Sequence, residues 1–541
     1  LCKLIRRKLS IKAIEELLEY VKAEIESQDG DTIRIKLEDT NLPYLWSTEG
    51  IARVFRGQLD VEKGLAVYKS MPTKDIIKVD RELDKIRPCI AAFSAKGPAI
   101  DDNFIKTLIQ FQEKLCDGFG MKRKKVSIGI YKYGDIKWPV EYKAVGPTSV
   151  KFTPLGHSKE YNLSEILETH DTGKKFASIL QGHKKYPLLM DAVGAVLSFP
   201  PIINSDHLGK IEPGDTELLV EFTGTDQSAV DLSCNILACA FADRGWTIRS
   251  VSIQGNKKRS TPTFCEQKIK LDIKHIESLT GLTLGKTRTI QLLGKMRYVI
   301  SGNNIIIPCY RDDIMHPVDI AEDVLISHGY NQVPDLALST YTRGSTKPSI
   351  EIIDASRDIF VGMGYQETLN AILSAKEIIY NKMNHPDIGT VELLEYATLR
   401  YSVLRSWILP ALLDILSQNK HNDYPQKIFE CGEVAGRKGK SISESEHIAF
   451  AHIESDAAYV NAQQVLDAYM RGIDLKYELT PSKNPSFING RSADVIVDGE
   501  QVGTVGEINP IVLDNFELRT PTIGGELNLG ALIRKKDKPL K

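Results

Sequence analysis

The residues of this chain best suited to chemistry by type and spacing are four acids in one stretch: Asp313, Asp319, Glu322 and Asp323. Pro317 suits the first turn of a helix, and Ile320, Val324 and Leu325 recur after it at helical spacing, so the pattern predicts a helix from Pro317 onward. On that helix Asp319, Glu322 and Asp323 stand at i, i+3 and i+4 and share one face, while Asp313 approaches from the preceding loop. Four carboxylates at one point repel unless a cation or a basic partner neutralises them, and all-oxygen ligation suits Mg²⁺. The competing reading is that the acids complement the positive end of the helix dipole. Arg311 and Asp312 read as a local ion pair, and His316, ahead of Pro317, as a cap or packing residue.

Positioning such a cluster takes more than one core. A length of 541 residues implies three or four domains. With 42% hydrophobic and 26% charged residues the chain is ordinary globular material. A net charge of −2 leaves any nucleic-acid contact to local basic patches, of which Lys122-Arg123-Lys124-Lys125 and Lys257-Lys258-Arg259 are the candidates. The eight cysteines are scattered without a C-x-x-C pair, which argues against a zinc site or a disulfide framework. No apolar run approaches the roughly 18 residues needed to span a bilayer and no signal-peptide pattern opens the chain, so the expectation is a cytoplasmic protein without membrane contact.

The periodicities predict an α+β multidomain protein. Residues 1–85 read as a small α+β unit, with a helix over 11–28, a strand over 32–37 and a helix over 48–56 that stops at Gly57. Residues 86–265 mix strands (126–131, 218–222, 246–253) with helices (102–119, 163–180, 227–244) and form the largest core, a mixed α/β domain. Residues 266–339 run helix, helix, short hairpin and then the acidic helix, an order that suits a winged-helix-like module. A polar stretch at 340–349 carrying Gly and Pro reads as a linker. Beyond it, 350–541 is a mixed domain with strands near 427–429, 447–452 and 493–497 and helices over 351–363, 404–419 and 460–472.

The words around the acids carry more. Tyr310 through Pro317, then Asp319-Ile320-Ala321-Glu322-Asp323-Val324 and His328-Gly329-Tyr330-Asn331, resemble the β-subunit of phenylalanyl-tRNA synthetase of the archaeal and eukaryotic type. Further stretches resemble it in the same order: Glu49-Gly50-Ile51-Ala52-Arg53, Leu197 through Asn204, Tyr401-Ser402-Val403-Leu404-Arg405, and Gly506-Glu507-Ile508-Asn509-Pro510. The resemblance covers nearly the whole chain. It implies a phenylalanine-tRNA ligase subunit that works with an α-subunit, as an α₂β₂ heterotetramer, on tRNA(Phe), with ATP bound mainly by the α-subunit. It also implies that 350–541 is the antiparallel-sheet module of class II synthetases.

Such a module clamps ATP phosphates with arginines, because a guanidinium matches phosphate geometry. Here Ile428 stands two residues before Glu430, where an Arg is required, and Arg534 lacks the Gly-rich approach, so the module reads as non-catalytic. The 86–265 domain resembles the family's editing domain. Its need is physical: a pocket built for Phe rejects a ring that merely adds a hydroxyl only about a hundredfold, so mischarged Tyr-tRNA(Phe) must be hydrolysed at a second site. The candidates there are Leu189 and Ser198 on two short strands, Asn204 after the Phe199-Pro200-Pro201 turn, and Glu221 with Thr223 on one strand face. Glu221 is the choice for reading the tyrosine hydroxyl, with Ser198 and Asn204 orienting substrate or water; Asp191 reads as a turn residue. The alternative is a tRNA-binding scaffold subunit whose editing pocket is inactive.

Overall fold

The structure, a computed structural model, describes all residues except 31, 39, 40, 257 and 537–541, and not the side chains of 348, 438 and 536. Lys257 of the second basic run is therefore outside the described residues. Two compact units divide the chain, Leu1–Ala337 and Leu338–Lys541, just ahead of the predicted linker.

At the N-terminus α1 (Cys2–Ile5) is followed by α2 (Ile11–Leu18), which Ser10 starts by accepting the Ala13 N–H. The helix expected through residue 28 ends early. Ile14, Leu17, Leu18 and Val21 complete the buried stripe, and beyond them only Ile25 in Ala23–Asp29 is a large apolar residue. With no helix face left to bury, that segment satisfies its backbone as β1 (Ala23–Asp29), paired with β2 (Thr32–Leu37). Next, α3 (Thr48–Gln58) is capped by Ser47, whose Oγ accepts the Gly50 N–H. Gly57 does not stop it; a Cβ there would collide with the Lys295 carbonyl, so the glycine allows two backbones to meet.

A ten-stranded sheet holds the larger core of the first unit. Its strands are β3 (Met71–Val79), β4 (Cys89–Lys96), β5 (Val126–Lys132), β6 (Val140–Val145), β9 (Tyr186–Met190), β10 (Val196–Phe199), β11 (Ile203–Asn204), β12 (Glu217–Gly224), β13 (Thr247–Gln254) and β14 (Lys258–Thr261); the small hairpin β7 (Lys151–Phe152) and β8 (Tyr161–Asn162) is separate. The order is β11-β10-β9-β6-β3-β13-β4-β12-β5, with β14 on β13. The boundary expected near residue 85 is thus misplaced, because β3 lies mid-sheet, parallel to both β13 and β6. Strand β4 alternates strictly: Ala91, Phe93 and Ala95 face α4 (Asp102–Lys114) and α7 (Gln227–Asp243), while Ile90 and Ala92 face an inner cluster with Tyr131, Tyr142, Leu189 and Leu219. The helix expected over 163–180 is two, α5 (Leu163–Thr169) and α6 (Asp171–Phe176), separated at His170, whose Nδ1 accepts the Thr172 N–H.

The third element of this unit follows the predicted order. Here β15 (Gln267–Lys270), α8 (Ile273–Thr280), α9 (Gly285–Lys295), the hairpin β16 (Val299–Ser301) and β17 (Asn304–Ile307), and α10 (Pro317–His328) pack on Ile276, Leu292, Leu293, Ile305 and Val324. In the second unit α11 (Pro348–Gly362), α12 (Leu409–Gln418), α13 (Tyr459–Gly472), α14 (Pro510–Asn515) and α15 (Leu529–Lys536) accompany a seven-stranded sheet. It comprises β18 (Gln366–Glu367), β21 (Gln426–Lys438), β22 (Ser441–Ile453), β23 (Glu478–Pro481), β24 (Phe487–Val497), β25 (Glu500–Ile508) and β26 (Thr522–Asn528), ordered β18-β21-β22-β26-β25-β24-β23; β19 (Leu373–Ser374) and β20 (Val403–Leu404) pair apart from it. All neighbours are antiparallel except β18 and β21, the kind of sheet the class II resemblance implied.

Candidate active site

The ten-stranded sheet curls until its two end strands nearly meet. Across the gap the Lys132 N–H donates to the Leu208 carbonyl at 3.1 Å, and Asn204 Nδ2 donates to the Ile130 carbonyl at 3.4 Å. Between these strands lies a cavity of about 170 Å³ whose wall includes Gln112, Arg123, Gly129, Ser198, Asn204 and Glu221. An apolar cavity of roughly 150 Å³ takes a benzene ring, so this one has the scale of a single aromatic side chain.

Glu221 is its chemical centre. The side chain is 2% exposed. Its Oε2 accepts from the Tyr131 hydroxyl at 2.7 Å, whereas Oε1 is buried with no partner. Desolvation pushes its pKa up to about 7, against the Tyr131 hydroxyl, which donates to it and stabilises the anion. Tyr131 also bridges to Ser198 Oγ at 2.8 Å, so one phenol ties the two candidate residues together. That bridge depends on Gly129, two residues earlier on the same face of β5: a Cβ there would run into the Tyr131 hydroxyl and against Glu221 Oε2. Ser198 and Asn204 stand opposite each other in the β10–β11 register.

Two candidates sit elsewhere. Leu189 is the register partner of Ser198, but its side chain belongs to the packed inner cluster and is not part of the cavity wall. Thr223 faces the same way as Glu221 but is fully buried, accepting from Arg87 Nε at 3.1 Å and sharing a hydrogen bond with Ser127 at 3.0 Å. Asp191 is the turn residue it was read to be, its Oδ1 accepting from the Val193 and Ala195 N–H groups.

The sequence reading passed over two residues of the site, Tyr131 and Arg123. Tyr131 was treated only as a strand end, although Gly129-Ile130-Tyr131 placed a gap and an aromatic on one face of β5. Arg123 reads from the sequence only as part of a basic run that could contact nucleic acid. It lies instead in a tight turn where Met121, Lys122 and Arg123 all have positive φ (51°, 52° and 67°). From there Nη1 donates to the Pro201 and Ile202 carbonyls at 3.1 and 2.9 Å, the guanidinium lies 4.2 Å from the Phe176 ring centroid, and Nε is buried without a partner.

The acidic cluster is a correction. Its four carboxylates do not converge, and among the described residues no group of three or more His, Cys, Asp or Glu is placed to hold a metal ion. Arg311 takes both Asp313 and Asp323, the latter at 2.6 Å, and the Tyr298 hydroxyl also donates to Asp323. Asp319 Oδ2 accepts from the Met315 and His316 N–H groups at 2.8 and 2.7 Å, and Glu322 pairs with Lys22 at 2.7 Å. His316 is the helix cap, accepting from the Val318 N–H. As placed, these acids do not fit one shared Mg²⁺: a basic partner and the backbone neutralise them instead. Arg311 pairs with Asp313 and Asp323 rather than with Asp312.

In the second unit Ile428 is part of the core and Glu430 is fully buried against Arg405 at 2.6 Å. Arg534 is mostly exposed, with Glu500 at 3.8 Å. Position 428 therefore presents no guanidinium for phosphate. Among the described residues no helix is long and apolar enough to cross a membrane.

Comparison with known proteins decides the family. Residues 269–330 match the tRNA synthetase B5 domain and 333–529 the phenylalanyl-tRNA synthetase beta chain CLM domain. The phenylalanine–tRNA ligase beta subunit of Pyrococcus horikoshii is 37% identical over 545 residues, covering 98% of each chain. The chain belongs to the phenylalanine–tRNA ligase β-subunit family. A relative of the same name from Methanococcoides burtonii is 36% identical, covering 94% of both chains. The crystal structure of an N-terminal fragment of the P. horikoshii phenylalanyl-tRNA synthetase β-subunit superposes with a TM-score of 0.59 at 37% identity, covering 61% of this chain and 97% of the fragment.

Proposed function

We propose that this chain is the β-subunit of a phenylalanine-tRNA ligase, which attaches Phe to tRNA(Phe) at the expense of ATP in an α₂β₂ assembly, and that its curled sheet hydrolyses Tyr-tRNA(Phe). The synthetic reaction, with its ATP and Mg²⁺, belongs mainly to the α-subunit, because the class II-like sheet here has Ile428 where a phosphate-clamping arginine is required, and Arg534 lacks the Gly-rich approach of the second. The observation that carries the editing reading is Glu221 Oε1: a buried acceptor without a partner, at the wall of a cavity sized for one aromatic ring. A tyrosine hydroxyl supplies the donor that this oxygen lacks; a phenylalanine ring does not.

Each neighbour then has a task. Glu221 accepts the phenol O–H. Arg123 holds the Pro201–Ile202 turn by its carbonyls and so fixes that wall of the cavity. Tyr131 sets the spacing between Glu221 and Ser198, while Ser198 and Asn204 orient the ester or the attacking water. Leu189 and Thr223 support this geometry from behind. The deciding experiment offers Tyr-tRNA(Phe) and Phe-tRNA(Phe) to the assembled ligase: the tyrosyl ester should be hydrolysed much faster, and equal, slow loss of both would leave a scaffold subunit with no active editing.

A further inference from the structure

Outside the cavity, the described residues hold one close pair of thiols. Cys239 on α7 and Cys309, in the segment between β17 and α10, bring their Sγ atoms to 3.8 Å, and all eight cysteines are free. The placement is built. Asn235, Cys239 and Asp243 stand at i, i+4 and i+8 on one face of α7. Asn235 Nδ2 donates to the Cys309 carbonyl at 3.2 Å, which fixes the backbone that carries the second thiol. Asp243 pairs with Arg53 at 2.7 Å, and the Arg53 guanidinium lies 4.1 Å from the ring centroid of Tyr310, the residue after Cys309. The two sulfurs are therefore held in contact by polar and cation–π bonds on either side of them.

We infer that Cys239 and Cys309 are a modification site: a thiol pair that a hydroperoxide converts to a disulfide, tying α7 of the large-sheet core to the segment that leads into α10. Bringing the sulfurs from 3.8 Å to a bond of about 2.05 Å is a local shift. Cys309 is partly exposed and Cys239 fully buried, which assigns the order of events. The Cys309 thiol is also the more acidic, because the Cys239 thiol hydrogen-bonds to it and Arg53 is near, while burial raises Cys239. The Cys309 thiolate attacks one oxygen of hydrogen peroxide; an S–O bond forms, the O–O bond breaks, and hydroxide leaves and is protonated to water. The Cys239 sulfur then attacks the sulfenic sulfur; the S–S bond forms, the S–O bond breaks, and a second water leaves with the Cys239 proton. Two thiols lose two electrons and two protons, and one peroxide is reduced to two waters.

The test treats the full chain with hydrogen peroxide, alkylates the remaining thiols after unfolding, and maps peptides without reduction. A Cys265→Ser background removes the exposed competing thiol. The expected result is the loss of two free thiols in a cross-linked peptide joining Cys239 to Cys309, reversed by dithiothreitol and absent from Cys309→Ser and from Cys239→Ser. Far-ultraviolet circular dichroism checks that both variants fold; if one does not, the other, with the parent, still decides. Two results would overturn the inference: both thiols remaining free at a dose that oxidises Cys265 in the parent chain, or Cys309 advancing to sulfinic acid with no link to Cys239.

Discussion

Replacing Glu221 by Gln keeps the shape of the side chain and removes its charge, and two opposite effects follow. A hydrogen bond from the substrate phenol to a buried carboxylate is worth roughly 1.5 to 3 kcal/mol, and Gln keeps a neutral acceptor, so about half of that is lost and hydrolysis of Tyr-tRNA(Phe) should fall about three- to tenfold. Phe-tRNA(Phe) has no such bond to lose and should be handled as before. Stability should move the other way. Burial takes the Glu221 pKa from 4.5 to about 7, a difference worth about 3 kcal/mol. Below pH 4.5 the group is protonated in both the folded and unfolded states, and the stabilising effect of its raised pKa is fully present. Between 4.5 and 7 the unfolded chain gives up the proton while the folded chain keeps it, so that stability is lost as pH rises. Above 7 the loss is complete. Glu221→Gln has no proton to lose and should match the parent near pH 4 but exceed it at pH 8. Deacylation of both esters and melting curves from pH 4 to 8.5 measure the two effects. An unchanged Tyr-tRNA(Phe) rate would remove Glu221 from recognition; a stability difference that does not widen with pH would refute the buried, raised carboxyl.

The other residues give sharper contrasts. Tyr131→Phe deletes the hydroxyl between Glu221 and Ser198 and should cost about 1 to 3 kcal/mol of stability together with most Tyr-tRNA(Phe) hydrolysis; full activity would show that the bridge is idle. Arg123→Ala frees the Pro201–Ile202 turn and should slow hydrolysis of both esters alike, whereas a loss confined to the tyrosyl ester would make Arg123 a second reader of the hydroxyl. Asp323→Ala removes a carboxylate from the buried Arg311 cluster and should destabilise the chain by about 3 kcal/mol, equally in Mg²⁺ and in EDTA; a penalty that disappears in EDTA would restore the metal reading. The chain without its partner should show no ATP–pyrophosphate exchange, since Ile428 occupies a clamp position in the core; exchange above background would refute the non-catalytic sheet.

Element types were legible wherever a segment buries one face. The helix beginning at Pro317 follows from periodicity, as do the cores of three second-unit strands at 427–429, 447–452 and 493–497, though not their full lengths of 426–438, 441–453 and 487–497. What was not legible came from distant partners. Strand β3 reads as part of an N-terminal unit because nothing local says that residues 71–79 lie between β13 and β6, whose partner segments start at 247 and 140. Gly57 reads as a stop because a glycine inside a helix weakens it, yet the Lys295 carbonyl requires it there. Arg123 reads as surface because its partners, the carbonyls of residues 201 and 202, belong to a strand connection far along the chain.

Both sets of acids singled out in the sequence are carboxylates near other polar groups, and the difference between them lies in what each oxygen has left to do. Asp319 is occupied by two backbone donors, Glu322 by Lys22, and Asp313 with Asp323 by one guanidinium. Such acids have spent their charge on folding; a ligand would have to break an existing bond to use them. Glu221 has one oxygen on Tyr131 and one on nothing. A buried acceptor left empty costs about 1 to 3 kcal/mol in the free protein, and a ligand that fills it recovers that cost on binding. The same unmet bond that weakens the fold is what lets the cavity favour a ring with a hydroxyl over one without. Glu221→Gln still leaves a polar atom unfilled there but removes the buried charge, so at pH 8 it should lose selectivity and gain stability, and a variant that lost both, or neither, would break the link between them.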